Sequence, residues 1–159
     1  MSRPLPCPCA SGLPYAACCE PLHRGAREAD SPTALMRSRY AAFARGEVEY
    51  LWRTLHPEHP DAQAPESIVK ASIRESAQAN RYTGLAILDA RDADADGIAK
   101  VLFHARVFQK GRERSFVECS DFARDGGGWR YLRGVMRPIA QCPRDIATLT
   151  IDRFLALPA

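Results

Sequence analysis

Four cysteines crowd into the first nineteen residues of this chain, as Cys7-Pro8-Cys9 and Cys18-Cys19, while Cys119 and Cys142 stand far away. Clustered thiols of this kind read as a metal site before they read as disulfides, because a bond between the adjacent Cys18 and Cys19 would be strained. The spacing is physically sensible. Pro8 fixes the backbone between one pair of sulfurs, and Ser11-Gly12 reverses the chain toward the other. Four soft ligands suit a closed tetrahedral Zn2+ site, structural because no position is left for a catalytic water. About twenty residues bury too little apolar surface to fold alone, so the metal must supply the folding free energy, about 10 to 16 kcal/mol in comparable peptides. His23, four residues beyond Cys19, is the alternative ligand in place of one cysteine if a helical turn persists through Pro21. Tyr15 is the large side chain placed to cover the site, and Arg3, Arg24 and Arg27 are placed to offset its charge.

Twenty-two basic and nineteen acidic residues give a net charge of +3. Four thiolates and one divalent cation bring this to about +1, which argues against a nucleic-acid binder without a localised patch. With 159 residues, 46% hydrophobic and 26% charged, the chain has the material for one ordinary domain and a small appendage. No stretch approaches the roughly 18 apolar residues of a membrane span, and the N-terminus lacks the apolar core of a secretory signal, so the expected location is the cytoplasm.

Residues 24–30 are polar, contain Gly25 and read as a linker. Ser31-Pro32 then signals a helix start, Met36, Tyr40 and Phe43 keep one apolar face, and Gly46 is the stop. A second helix carries Val48, Leu51, Trp52 and Leu55 and ends at His56-Pro57; a third covers 66–79. From Tyr82 the period changes to two, with strands expected over 82–91, 98–110, 114–124 and 129–137. Helices followed by an antiparallel meander make an α+β plan, a curved sheet closing on helices into a cone that can hold a pocket. The strand at 98–110 has large apolar residues on both sides, so its outer face is expected to be covered by another chain or by the zinc module.

Cys7-Pro8-Cys9-Ala10-Ser11-Gly12-Leu13-Pro14-Tyr15-Ala16-Ala17-Cys18-Cys19 resembles the SEC-C motif, the zinc-binding tail first described on the secretion motor ATPase. Ala10 stands where that motif usually has glycine, and Leu13, Pro14, Ala16 and Ala17 stand where the motor's tail has lysines, so its chaperone and ribosome contacts do not transfer. Further along, 35–43, Tyr50-Leu51 with Thr54-Leu55-His56-Pro57, Val101-x-Phe103-x-Ala105, Phe116-x-Glu118-x-Ser120-x-Phe122 and Trp129-x-Tyr131 are similar to the YchJ-like family. That resemblance implies a SEC-C module over 1–28, a nuclear transport factor 2-like (cystatin-like) domain over 29–140, and a tail over 141–159 expected to be helical, with Cys142 a spectator.

The resemblance implies no reaction. Glu118, with Ser120, interrupts an apolar strand face; it is either a general base in the cone or a buried anchor paired with Arg37 or Arg39. His104 is the other catalytic candidate, and His56 sits at a helix end where a donor is favourable. Tyr40, Trp52, Arg106, Glu118, Ser120, Trp129 and Tyr131 are the candidate ligand-binding residues, and Cys7, Cys9, Cys18 and Cys19 the metal ligands. Two functions are expected: a zinc-binding module that recognises a protein or ribosomal partner on a scaffold that dimerises, or a small-molecule binder or enzyme working in the cone.

Overall fold

The computed structural model describes residues 3–159; Met1 and Ser2, where the expected zinc module begins, lie outside them. A single turn at Tyr15–Ala17 and α1 (Glu20–His23) complete the cysteine module. Next comes α2 (Pro32–Arg45), which starts where Ser31 Oγ accepts the Ala34 N–H at 3.0 Å and stops at Gly46, whose φ of 73° is the left-handed conformation a helix terminator needs. The second expected helix, α3 (Val48–Arg53), ends before Leu55. Thr54 and His56 instead clasp the backbone of Tyr131 on both sides, Tyr131 N–H donating to Thr54 O and His56 N–H to Tyr131 O, each at 2.8 Å. α4 (Glu66–Ala79) follows a turn at Pro60–Gln63 and buries only Val69.

The sheet comprises β1 (Arg81–Arg91), β2 (Ala99–Gln109), β3 (Arg112–Glu113), β4 (Phe116–Asp125) and β5 (Gly128–Pro138), all antiparallel, in the order β1-β2-β4-β5 with β3 folded back on the end of β2. The meander is the expected one. Arg112, expected in a turn, begins β3 because Lys110 (φ 51°) and Gly111 (φ 76°) already form the two-residue reversal. On one face of β2, Ala99, Val101, Phe103, Ala105 and Val107 pack on Leu35, Met36, Tyr40 and Leu51 in the main core.

The cysteine module does not cover the opposite face. Leu102, Val117 and Cys119 lie under Leu149, Ile151 and Phe154, so the chain's own C-terminal segment supplies the cover. That segment is two single turns, Ile139–Gln141 and Ile146–Thr148, and the short α5 (Ile151–Leu155), where one helix was expected. Cys142 is half-buried against this second core. Residues 24–30 are no free linker either: Ala29 is buried in the main core and Glu28 pairs with Arg130 at 2.9 Å. Among the described residues no helix is long and apolar enough to cross a membrane.

Candidate metal centre and central cavity

The four N-terminal thiols converge. The sulfurs of Cys7, Cys9, Cys18 and Cys19 all lie within 4.8 Å of one another, with Cys9 Sγ 3.6 Å from Cys18 Sγ and Cys18 Sγ 3.9 Å from Cys19 Sγ. A tetrahedron with metal–sulfur bonds of about 2.3 Å has edges of about 3.8 Å, whereas a disulfide would need about 2.05 Å. The donor set fits a divalent cation. A short bridge of Pro6 with Pro14 closes the loop, Cys7 N–H donates to Leu13 O at 2.9 Å, and Ala10 takes a positive φ of 64° at the position where SEC-C motifs usually have glycine. Hydrogen bonding with Cys19 holds the Cys9 thiol down at about 4, burial raises Cys7 to about 11, and the contact with Cys9 raises Cys19. Binding of a cation by thiolates releases thiol protons.

His23 does not join the sulfurs. Its Nε2–H donates to Ser38 O at 2.8 Å, which leaves Nδ1 to accept from Tyr15 Oη at 2.7 Å, so neither nitrogen is free for a metal. Burial lowers its pKa and keeps this neutral tautomer. His23 packs at a tilt against Tyr50, with ring centroids 4.8 Å apart, and the Tyr50 hydroxyl meets Ser38 Oγ at 2.5 Å. Arg37 donates to Cys9 O at 2.6 Å and Arg53 to Leu22 O at 2.6 Å, while Arg45 lies 3.8 Å from the Tyr15 ring centroid. The cations that embrace the module thus come mostly from α2 and α3. Of the three arginines expected there, Arg27 reaches Cys18 O at 3.4 Å and Arg24 pairs with Glu20.

The second site is a cavity of about 720 Å³ between α2, α4 and the inner face of the sheet. Tyr40, Glu118, Ser120 and Tyr131 are among the residues that line it. Glu118 Oε2 accepts from Ser120 Oγ and, at 3.0 Å, from Tyr131 Oη. Neither arginine pairs with it: Arg37 is turned to Cys9, and Arg39 donates from Nη1 to Leu51 O at 3.0 Å and Thr54 Oγ1 at 2.6 Å. Arg39 still faces the cavity, its guanidinium 4.8 Å from the Tyr131 ring centroid. Tyr131 thereby carries Arg39 on its ring and Glu118 on its hydroxyl, and burial raises its pKa strongly. Room for this arrangement comes from Gly134, directly across from Ser120: a Cβ there would strike Glu118 and lie 2.6 Å from Tyr131 Oη.

The other expected site residues lie elsewhere. His104 and Arg106 share the parity of Leu102 and face away from the cavity; Trp129 is packed in the main core under Arg124, and Trp52 is half-buried on α3 outside the lining. The Tyr40 hydroxyl is spent on the edge strand, donating to Gly84 O at 2.8 Å and accepting from Gly84 N–H at 2.9 Å. His56 Nδ1 accepts from the Glu58 N–H. His59, not anticipated, lines the cavity against Tyr131 with ring centroids 5.3 Å apart; its one sequence signal was the only aromatic ring within 57–65. His59 Nδ1 accepts from Asp61 N–H at 3.0 Å, so the neutral ring carries its proton on Nε2.

The middle nuclear transport factor 2-like domain of YchJ matches residues 31–134, and the SEC-C motif matches residues 3–21. The chain belongs to the YchJ family. It is 34% identical over 128 residues to the YchJ protein of Shigella dysenteriae serotype 1, covering 80% of this chain and 81% of that one. A SEC-C motif containing protein from Rhodopseudomonas palustris is similar in structure, with a TM-score of 0.70 and 33% identity over 82% of this chain and 98% of the other. A second, from Psychrobacter arcticus, has a TM-score of 0.69 at 24% identity, covering 90% and 89% of the two chains, and shows the shared fold. A domain of cystatin-like fold from Nostoc punctiforme, with a TM-score of 0.52 and 14% identity over 77% and 78%, extends that likeness to the α+β body.

Proposed function

We propose that the four cysteines of this YchJ-family chain hold a structural Zn2+, and that the body it fastens is a receptor for a small ligand entering the cavity beside Glu118. The observation that carries this reading is the combination of about 720 Å³ of space with a carboxylate held by Ser120 and Tyr131 and by no arginine. A half-buried carboxylate serving only as a structural anchor would ordinarily be paired with a cation. The zinc reading is supported by sulfur separations close to a tetrahedron's edge and by the prior engagement of both His23 nitrogens. A reducing cytoplasm suits such thiolates. Native mass spectrometry of the protein purified from cells tests both parts: one zinc per chain is expected, together with a noncovalent small molecule released on denaturation and missing from a Glu118→Ala variant. Metal absent from carefully reduced protein refutes the first part. Protein that is ligand-free and gains no thermal stability from a metabolite library refutes the second.

A second reading, recognition of a protein or ribosomal partner through the cysteine module, has its own observation. Leu5 and Leu13, 69% and 51% exposed, flank the isolated Pro6–Pro14 bridge. Exposed leucines beside a rigid metal loop suit a partner contact. Loss of specific partners from a Leu5→Asp, Leu13→Asp variant in a lysate pull-down is the expected result, and an unchanged partner list sinks this reading.

A further inference from the structure

Arg39 and Glu118 bring opposite charges to one cavity and yet do not meet. Such groups ordinarily pair directly when water is scarce, since each is costly to leave alone. Here the protein holds them apart: Leu51 O and Thr54 Oγ1 take Nη1 of Arg39, while Ser120 and Tyr131 take Oε2 of Glu118. What remains unused is specific, namely Nε–H and Nη2–H2 of Arg39 and Oε1 of Glu118. Among the described residues the only buried side-chain polar atom lacking a partner is His104 Nε2, on the opposite face of the sheet; the unused atoms are therefore not sealed inside the protein, and both residues that carry them line the cavity. Both side chains touch the same phenol, Arg39 at the Tyr131 ring and Glu118 at its hydroxyl. Donor and acceptor therefore stand on one small frame with a gap between them.

The walls set the shape of what fills the gap. Phe103 is the register partner of Glu118 on β2 and Met136 its partner on β5, so the carboxylate rises between a ring and a thioether. Phe116, two residues along β4 on the same face, meets Phe103 edge to face with centroids 6.1 Å apart. Flat apolar surfaces flank a polar slot whose charges balance. An anion would meet Glu118, a cation would meet Arg39, and an ammonium with three N–H groups would find one free carboxylate oxygen.

We propose that the cavity binds a planar, uncharged ring carrying an N–H beside a carbonyl, as in a lactam or an aromatic primary amide, with the N–H on Glu118 Oε1 and the carbonyl on Arg39. His59 Nε2–H is a second donor on the carbonyl side. The assignment rests on the receptor reading above and narrows it to one ligand class. Zinc-loaded full-length protein labelled with nitrogen-15 is titrated with 2-pyridone and benzamide, and in parallel with benzoate, benzylamine, phenylalanine and toluene. The lactam and amide probes are expected to shift the backbone signals of 116–120 and 131–134 and to bind at least about tenfold more tightly than the charged or apolar probes. Glu118→Gln, which keeps an acceptor for Tyr131 and Ser120, is expected to cut that preference by about tenfold. Arg39→Lys, which keeps the charge but loses the forked donor, is expected to weaken the carbonyl probes alone. Binding of benzoate or phenylalanine as tightly as benzamide, or an unchanged preference in a folded Glu118→Gln variant, overturns the class while the receptor reading stands. No shift at cavity residues with any probe overturns both.

Discussion

Phe154→Ala tests whether the C-terminal segment covers the sheet. Phe154 is 1% exposed and packs with Leu149 and Ile151 on Leu102, Val117 and Cys119. Burial of those three tail side chains contributes about 1.5 to 3 kcal/mol each, or about 5 to 9 kcal/mol together, and removing the largest costs about 3 to 5 kcal/mol. Little else holds the tail: a five-residue helix has no stability of its own, and its ties to the sheet are the Ile151 N–H to Asp89 Oδ2 at 2.9 Å, the exposed Arg91–Asp152 ion pair, and Arg137 to Leu157 O at 2.8 Å. The loss therefore falls on local opening, which should become easier by about two to four orders of magnitude. Cys119 reports it, since its thiol is 2% exposed and raised to about 11 by burial in the native protein. The assay is alkylation of Cys119 followed by peptide mass spectrometry, beside urea unfolding. Faster labelling of Cys119 together with a stability loss of about 3 to 5 kcal/mol is expected. Unchanged labelling, or a stability change below about 1 kcal/mol, would refute the covering role.

Gly134→Ala places a methyl against Glu118 and Tyr131 Oη and should destabilise by about 1 to 3 kcal/mol in thermal melts, with the cavity residues the most shifted in NMR spectra. Arg53→Ala removes the donor to Leu22 O and His23 O, a charge-assisted contact of about 1.5 to 3 kcal/mol, so zinc release to a colorimetric chelator should accelerate while the unfolding cooperativity of the body persists. His59 and His104 are held below the ordinary imidazole pKa by burial, so the unfolded chain binds more protons than the native one just below about pH 6.5. Their contribution is complete above that pH and is lost as the pH falls toward the depressed native values; a urea midpoint that rises on acidification from pH 7 to 5.5 would contradict this sign.

Local chemistry made much of this fold legible. Ser31, Pro32 and Gly46 are capping residues whatever surrounds α2, and the change of period at 81–82 is written into the side chains themselves. The cysteine quartet was equally plain, because few backbones bring Cys-x-Cys and Cys-Cys together for another reason. The tail was only partly legible: a helix was expected over 141–159, but Ile139, Ile146 and Leu149 sit on single turns and loops, and the helix itself is the five residues that carry Ile151 and Phe154. Their only announcement was the apolar outer face of β2, which shows that a cover exists without saying whose. The partner of Glu118 was misjudged for a related reason: sequence pairs charges by sign, whereas Arg39 is captured by a backbone carbonyl and a threonine that α3 delivers only after the fold has formed.

Helix α2 ties the two sites together. At 100° per residue, Arg37, Ser38, Ala41 and Arg45 lie on nearly the opposite side from Met36, Arg39, Tyr40 and Phe43. The first group holds the cysteine module, through Cys9 O, His23, the thiol cluster and the Tyr15 ring; the second lines the cavity. One rigid element buried on both sides cannot shift against one neighbour without shifting against the other, because packed interfaces respond as units. The module therefore backs the helix that walls the cavity, and on the reading proposed above any free energy that metal binding lends to the seating of α2 would reappear, by reciprocity, in the affinity of the cavity for a ligand.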